Sequence, residues 1–341
     1  MPSDSGESTP NPVTSDSNQQ VVPRLSRFQL VRLLFSLAIS IALLLYVVRG
    51  IDFAKVAALA GNSNLLLVAL AAMLYYASYI ARAFRWKAML RGIGTDVPFS
   101  LAISIILASF AVNCIVPAKA GDIYRCLSVS RKKTGDFFAL LGSVIAERVA
   151  DLICVLLVLL ACTGMLQFDT RGLEGGSPLA GKLALTAAFS VTLLFVIVLF
   201  VQNLDKLLNF LVPSRFKERV VEIRRGFRMS YARLLSVMVL SAAVWALELG
   251  SFYVVLKAAD IHIQASHAVL TSAAATLSNA VPFTPGGLGI YELAARELLS
   301  AFSVQPEAAI AAILLIRIVN YWSLMVVGAA MTMLLYRLRR T

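Results

Sequence analysis

The feature that most constrains how this chain can fold is its series of long apolar runs. Runs close to the ~20 residues that a helix needs to cross a bilayer lie at 28–48, 64–86, 137–165, 181–203, 232–257 and 306–336. Hydrophobic residues make up 59% of the sequence and the mean hydropathy is +0.80, whereas soluble domains are about 45–50% apolar. We therefore predict an all-α integral membrane protein with about six full transmembrane helices.

Two further segments, 98–134 and 265–300, differ from these runs because proline and glycine interrupt them. Each has a modest apolar stretch, a break, and a second stretch that carries charges. The breaks contain Pro117, Gly121, Pro282, Pro285, Gly286, Gly287 and Gly289. Non-helical backbone at membrane depth is tolerated only where protein buries it or where it lines a wet cavity. We predict two re-entrant helical hairpins; a plain helix kink is the alternative at either break alone.

Basic residues are distributed unevenly among the loops, and this distribution predicts the orientation. The loop at 204–233 carries eight Lys and Arg residues, whereas 258–264 carries none. Cytoplasmic loops are enriched in Lys and Arg, so we predict a protein of the cytoplasmic (inner) membrane with both termini in the cytoplasm. This orientation requires both hairpins to return to the face from which they enter. The formal net charge of +12 then reflects orientation, and we expect no nucleic-acid partner.

Equivalent residues recur in the two halves of the chain. Tyr124 and Tyr291 are 167 positions apart, and Arg148 and Arg317 are 169 positions apart. Because three full crossings separate equivalent points, the second half is predicted to be inverted relative to the first. Inverted repeats are common among secondary transporters, whose substrate site lies at the repeat interface.

The same patterns predict the domain organisation. Residues 1–22 are rich in Ser, Pro, Asn, Gln and Thr, and we predict a disordered cytoplasmic tail. Residues 23–341 are predicted to form a single transmembrane domain with repeat A at about 64–165 and repeat B at about 232–337. The segment 204–231 between them mixes apolar and basic residues and is predicted to be a cytoplasmic amphipathic linker on the inner leaflet.

Ionisable residues inside membrane spans are costly and by default mark a functional site. The substrate-binding candidates are Lys119, Asp122, Arg125, Glu147, Arg148, Asp151, Glu292 and Arg317, with the break glycines Gly286, Gly287 and Gly289. The secondary candidates are Arg82, Arg85, Glu248 and Arg296. A helix that restarts after a break also presents free N–H groups, which bind phosphate and carboxylate.

Each candidate has a structural alternative. A charged residue in a span can belong to an ion pair that only holds helices together. Arg82 and Arg85 precede Trp86, and an arginine near an interfacial tryptophan is typical of membrane anchoring. His262 and His267 are the only histidines, and the four cysteines lack metal-type spacing. We therefore expect no metal, no cofactor and no catalytic triad.

The chain resembles the flippase-like membrane family typified by the transmembrane region of lysylphosphatidylglycerol synthase. The resemblance covers most of 28–337 and lies in the motifs 117–125 (PAKAGDIYR), 147–151 (ERVAD) and 282–292 (PFTPGGLGIYE), with 82–86 (RAFRW) and Arg317. In the first motif, Lys119 stands where the family commonly has Arg, and Asp122 stands where it commonly has Glu. Both keep the charge, but a lysine cannot make the bidentate contact of an arginine.

The resemblance implies that the chain moves an anionic lipid between leaflets. The substrates it implies for the family include aminoacylated phosphatidylglycerol and polyprenyl-phosphate-linked sugars. We expect a transporter and not an enzyme, because the soluble aminoacyl-transferase domain of bifunctional members is absent from these 341 residues. The expected partner is a membrane lipid with a phosphate headgroup, with a lipid-synthesis enzyme as a further candidate. The alternatives are an intramembrane enzyme, with Glu147 and Asp151 as base and metal ligand, and a non-catalytic member of a lipid-biosynthesis complex.

Overall fold

The computed structural model describes residues 27–116, 119–130, 135–170, 178–211, 217–228, 231–278 and 284–337. Its α-helices are α1 (Arg27–Val47), α2 (Phe53–Gly61), α3 (Leu65–Gly92), α4 (Phe99–Ile115), α5 (Ala120–Ser130), α6 (Phe137–Thr170), α7 (Pro178–Leu211), α8 (Lys217–Phe227), α9 (Tyr231–Ala258), α10 (Ala265–Ser278), α11 (Ile290–Ala301), α12 (Pro306–Arg317) and α13 (Ser323–Arg337). None of the residues in these ranges belongs to a β-strand, which confirms the all-α class. The predicted tail at 1–22 and the break prolines Pro117 and Pro282 lie outside the described residues.

Membrane-spanning length is reached by five helical stretches. They are Leu65–Gly92, Phe137–Leu166, Leu183–Leu204, Ala232–Ala258 and Pro306–Arg337. These stretches coincide with five of the six predicted spans and confirm a membrane protein. The remaining predicted span, 28–48, coincides with α1. The described apolar part of α1 is shorter than the five spanning stretches, and so is α4. The helix α7 continues to Leu211, so the first residues of the predicted amphipathic linker extend a span.

Side-chain caps fix where several of these helices begin. Asn64 precedes α3 and its Oδ1 accepts hydrogen bonds from the backbone N–H groups of Leu66 and Leu67 at 3.0 and 3.3 Å. Asp136 precedes α6 and accepts from Phe138 and Ala139 at 2.8 and 3.0 Å. Such caps satisfy N–H groups that have no partner inside the helix. These two helices carry five of the charged residues described below, Arg82 and Arg85 in α3 and Glu147, Arg148 and Asp151 in α6.

The first helix of each broken segment packs against the opposite half of the chain. The helix α3 packs along α9, and both contain 28 residues. The helix α4 packs against α13 of the second half, and α10 packs against α6 of the first half. Each broken helix thus lies on the last span of the opposite half, which is the arrangement expected of two repeats related by an approximate two-fold axis.

In the first broken segment, α5 folds back onto α4. The Asn113 Oδ1 of α4 accepts a hydrogen bond from the Gly121 N–H at 2.7 Å. A Cβ added at Gly121 would collide with the backbone oxygen of Ser109 and with Asn113, so only glycine allows this close approach. The helices α10 and α11 of the second broken segment also pack against each other. Both segments are therefore helix–break–helix units, and their predicted re-entry into a bilayer stays a prediction.

The last predicted span is interrupted by a π-helical turn, Ile318–Trp322, between α12 and α13. Such turns often occur at functional sites. Tyr321 lies on this turn, and its hydroxyl donates to the Cys114 carbonyl at the end of α4 at 3.4 Å. A Cβ at Gly286, in the second break, would collide with the Tyr321 ring. Tyr321 therefore joins the ends of the two broken segments.

Candidate functional site

A cavity of about 410 Å³ lies between the two halves and beside both breaks. Its charged lining residues are Arg82, Lys119, Asp122, Arg125, Glu147, Arg148, Asp151 and Glu248. Gly286 and Gly287 of the second break also line it. The structure thus brings together eight sequence candidates with opposite charges and two candidate glycines in a space of the size that holds small ligands.

Arg85 of α3 does not line the cavity but contacts two of the carboxylates that do. Its side chain is fully buried. Its Nη1 is 2.5 Å from the Asp151 Oδ1, and its Nη2 is 3.0 Å from the Glu147 Oε1. Nη1 also donates to the Ser241 hydroxyl of α9 at 2.7 Å. One guanidinium therefore joins α3, α6 and α9, which is the planar, multiple contact that arginine makes and lysine does not.

The membrane-anchoring interpretation is wrong for Arg85 and Trp86. Trp86 is 0% exposed, and the Arg125 guanidinium lies over its ring at 4.7 Å from the centroid. Arg85 faces α6 and α9, whereas Trp86 packs in a core cluster with residues of α4 and α5. A sequence pattern of Arg-x-x-Arg-Trp at the end of an apolar run does not distinguish the two cases, because both place these residues near the end of a span.

Glu147 of α6 is the most heavily contacted carboxylate. The Arg125 Nη2 lies 2.8 Å from its Oε2, opposite the contact from Arg85. The Arg148 Nη2 lies 3.5 Å from its Oε1. Three arginines therefore share Glu147, which is 1% exposed, and their charges satisfy a carboxylate that burial would otherwise penalise.

Arg148 is the most open arginine of the cluster, with 37% of its side chain exposed. Its Nε is 3.3 Å from the Asp122 Oδ2 of α5, and its Nη1 is 3.5 Å from the Asp151 Oδ2. These contacts connect the first broken segment to α6. The ion pairs of Arg148 are longer than the shortest ion pairs of Arg85 and Arg125, and its side chain is more exposed.

Lys119 lies in the first break, immediately before α5, and its side chain is exposed. Its backbone φ is +54°, a left-handed conformation that is uncommon for residues other than glycine. Gly287 of the second break has a φ of +70°, which glycine adopts without cost. Both breaks therefore present irregular backbone to the cavity.

The remaining sequence candidates form a separate group. The Arg317 Nε lies 2.6 Å from the Glu292 Oε1, and its Nη2 donates to the Gly287 carbonyl at 3.3 Å. Glu292 also accepts from the Gly289 N–H at 2.7 Å. Neither Arg317 nor Glu292 lines the cavity, and this pair holds the second break against α12. Arg296 donates to the backbone of Tyr46 in α1 at 3.3 Å, away from the cluster.

Several uncharged cavity residues were not among the sequence candidates. They include Tyr79, Asn113, Trp245 and Thr284. The Trp245 Nε1 and the Thr284 Oγ1 are buried and have no hydrogen-bond partner in the described part of the chain. Polar residues of this kind occur throughout apolar helices, so only their position beside the charged cluster distinguishes them.

Comparisons with known proteins agree with the resemblance in the motifs. The family model described as the lysylphosphatidylglycerol synthase TM region matches residues 33–328. The glycosyltransferase AglD of Haloferax volcanii is 28% identical over 86% of this chain. The match covers 53% of AglD, so this chain spans about half the length of that relative.

Shorter relatives match over nearly their whole length. A UPF0104 membrane protein of Methanocaldococcus jannaschii is 27% identical over 64% of this chain and 92% of the relative. A second UPF0104 membrane protein, from Pyrococcus horikoshii, is 23% identical over 85% of this chain and 92% of the relative. The matches therefore concern the helical membrane region.

Proposed function

Because the chain belongs to the family of the lysylphosphatidylglycerol synthase transmembrane region, we propose that it moves a phosphate-bearing lipid between the leaflets of a membrane. The substrate is an anionic phospholipid or a polyprenyl-phosphate-linked glycolipid, and the chain acts as a flippase and not as an enzyme. The observation that carries this proposal is the cavity of about 410 Å³, which holds eight charged side chains inside an apolar bundle of helices.

The burial of so many charges supports a role in substrate binding. A charged side chain in the middle of a span costs roughly 2.5–3.5 kcal/mol on insertion scales. Ion pairs that only lock helices together do not require a cavity beside them. A cavity of this size accommodates a phosphate headgroup, while the acyl or prenyl chains stay in the surrounding lipid.

Because three arginines contact Glu147, one of them can bind a phosphate while the others stay paired with this carboxylate. When Arg125 turns toward a phosphate, Glu147 keeps its contacts with Arg85 and Arg148. Arg148 differs, because Asp122 has no other cation within ion-pair distance in the described part of the chain. Arg125 can therefore contact a substrate without leaving a buried carboxylate unpaired, which would cost several kcal/mol. An arginine–phosphate contact is charge-assisted and often bidentate.

Transport requires the site to open toward each leaflet in turn. We place six full spans and two re-entrant hairpins in the cytoplasmic (inner) membrane, with both termini in the cytoplasm. The exchange of α4 and α10 between the halves supports two inverted repeats. Rocking of one repeat against the other about the cavity then exposes the headgroup to alternate sides. Arg317 and Glu292 hold the second break during this motion.

The name of one relative, glycosyltransferase AglD, is compatible with a sugar-bearing lipid as substrate. The enzyme alternative receives less support from the geometry. Glu147 and Asp151 both accept from Arg85 within 3.2 Å, so neither carboxylate is free to act as a general base. A structural member of a lipid-synthesis complex would not need the cavity.

A transport assay on the purified chain tests the proposal. The chain is reconstituted into liposomes with a trace of fluorescent phospholipid, and a membrane-impermeant quencher reports movement of lipid to the outer leaflet. We expect movement faster than in protein-free liposomes and loss of this gain in Arg125→Gln. Movement at the protein-free rate would overturn the proposal, and a new lipid product in mass spectra would favour the enzyme.

A further inference from the structure

The charges around the cavity do not cancel. Its lining contains four cations and four carboxylates. Arg85, which contacts Glu147 and Asp151 from behind, is a fifth cation. Counting each arginine and lysine as +1 and each carboxylate as −1, these described residues have a formal net charge of +1. The break residues outside the described ranges, 117–118 and 279–283, carry no ionisable side chain and leave this sum unchanged.

The surplus positive charge lies on Lys119. Each arginine of the cluster has a carboxylate oxygen within 3.3 Å; these are Arg82, Arg85, Arg125 and Arg148. Among the described residues, by contrast, no carboxylate lies within the 4.0 Å of an ion pair from the Lys119 ammonium. Lys119 also has the left-handed backbone noted above, and its exposed side chain lines the cavity. A headgroup can therefore pair with Lys119 without breaking an existing ion pair.

From this charge balance we infer that the site is matched to a headgroup with one net negative charge, namely a phosphodiester that carries no other charged group. The inference rests on the proposed function and narrows its substrate class. A phosphodiester paired with Lys119 brings the cluster to neutrality. A phosphomonoester carries about −1.5 to −2 at pH 7 and leaves a negative charge without a partner in the cluster. A zwitterionic headgroup leaves the lysine charge uncompensated.

The net charge of the headgroup distinguishes among the lipids named in the proposed function. Phosphatidylglycerol-type lipids and sugars joined to a polyprenyl chain through one phosphate are phosphodiesters. Polyprenyl phosphates without a sugar are monoesters, and diphosphate-linked glycans carry two charges. Excess charge inside a protein is opposed more strongly than in water, because the effective dielectric constant is lower. Net charge of the headgroup is therefore a basis for selection.

Three fluorescent lipids with identical chains test the inference in wild-type proteoliposomes. They are phosphatidylglycerol, phosphatidic acid and phosphatidylcholine. The first carries a phosphodiester with no other charge, the second a phosphomonoester, and the third a phosphodiester joined to a cationic choline. We expect phosphatidylglycerol to move about tenfold faster than the other two, the ratio that about 1.4 kcal/mol produces. Equal or faster movement of phosphatidic acid would overturn the inference and leave the proposed function intact. Failure of all three lipids to exceed the protein-free rate would overturn the proposed function.

Two charge variants test the cause of the selectivity. Lys119→Gln lowers the net charge to zero and is expected to shift the preference toward phosphatidylcholine. Asp122→Asn raises it to +2 and is expected to shift the preference toward phosphatidic acid. Arg91→Gln and Asp96→Asn are matched controls, because this ion pair is 64% and 72% exposed and does not line the cavity. If the cavity variants keep the wild-type order of lipids, the charge-balance inference is wrong.

Discussion

Arg82 and Glu248 form an ion pair of 2.6 Å although they occupy the same place in two different helices. Each is the eighteenth residue of a 28-residue helix, Arg82 in α3 and Glu248 in α9. Around a two-fold axis, residues near the axis contact their own equivalents. The pair is therefore the contact expected if the predicted repeats are related by a two-fold axis, and it joins α3 to α9 through opposite charges.

We expect single replacements in this pair to be more harmful than the double replacement. Arg82→Gln and Glu248→Gln each leave one buried charge without its main partner, whereas the double variant removes both charges. The thermal midpoint of the purified protein should fall in each single variant and recover in the double variant. A double variant whose loss equals the sum of the two single losses would show that the residues are not coupled.

Arg85 is expected to be essential for folding. Arg85→Met leaves Glu147 and Asp151 without their fully buried partner, and breaking a buried ion pair costs roughly 3–5 kcal/mol. We therefore expect little folded Arg85→Met protein in size-exclusion chromatography. Arg85→Lys keeps the charge but not the two-pronged contact, and its thermal midpoint should lie between those of wild type and Arg85→Met. A normal yield and midpoint for Arg85→Met would contradict the structural role.

Replacing Arg125 and replacing Arg317 are expected to have different effects on transport and on the thermal midpoint. Arg125→Gln leaves Glu147 with two arginines, so transport should be lost with a small change in thermal midpoint. Arg317→Gln leaves Glu292 without a cation within ion-pair distance in the described part of the chain, so the midpoint should fall markedly. Adding Glu292→Gln to Arg317→Gln should restore the midpoint. If both single variants reduce transport and midpoint to the same extent, this division of roles is wrong.

The sequence predicted the membrane class and the positions of the breaks because both depend on local composition. Five spans coincide with long apolar runs. Glycine marks both breaks, because Gly121 allows a close helix approach and Gly287 has a left-handed backbone. The closeness of Asp122, Arg125, Glu147 and Arg148 could also be anticipated, since they lie on adjacent segments around one break.

Partner choice within the charged cluster could not be predicted. Arg85 bonds to α6 and α9 only because α3 packs along α9, and no local pattern encodes that packing. The sequence treats Arg148 and Arg317 as equivalents, yet Arg148 lines the cavity and Arg317 does not. Opposite charges in a small space allow many pairings, and helix packing selects among them.

Cysteine labelling in intact cells tests the predicted topology. Asp260 follows α9 with a side chain 95% exposed, and Asp96 follows α3 with a side chain 72% exposed. An impermeant maleimide added outside should label Asp260→Cys and should label Asp96→Cys only after the cells are permeabilised. The four native cysteines are buried, so their background should be low. Labelling of Asp96→Cys in intact cells would contradict the orientation.

A substitution at Gly287 tests whether the second break binds the headgroup or has only a structural role. Gly287 and Gly94 have similar backbone φ values, +70° and +77°, so alanine at either position should incur a similar strain of about 1–2 kcal/mol. Only Gly287 lines the cavity, while Gly94 is exposed outside it. A methyl group at Gly287 should obstruct close approach of a headgroup to the backbone.

We therefore expect both Gly287→Ala and Gly94→Ala to lower the thermal midpoint, with transport per folded protein lost only in Gly287→Ala. Both quantities should be measured on the same preparations, so that transport is compared at equal amounts of folded protein. The plain-kink alternative gives a different result, because the bend would then depend on the neighbouring prolines and the added methyl would affect stability alone. Proportionate losses of transport and midpoint in both variants would support the kink and remove Gly287 from the site.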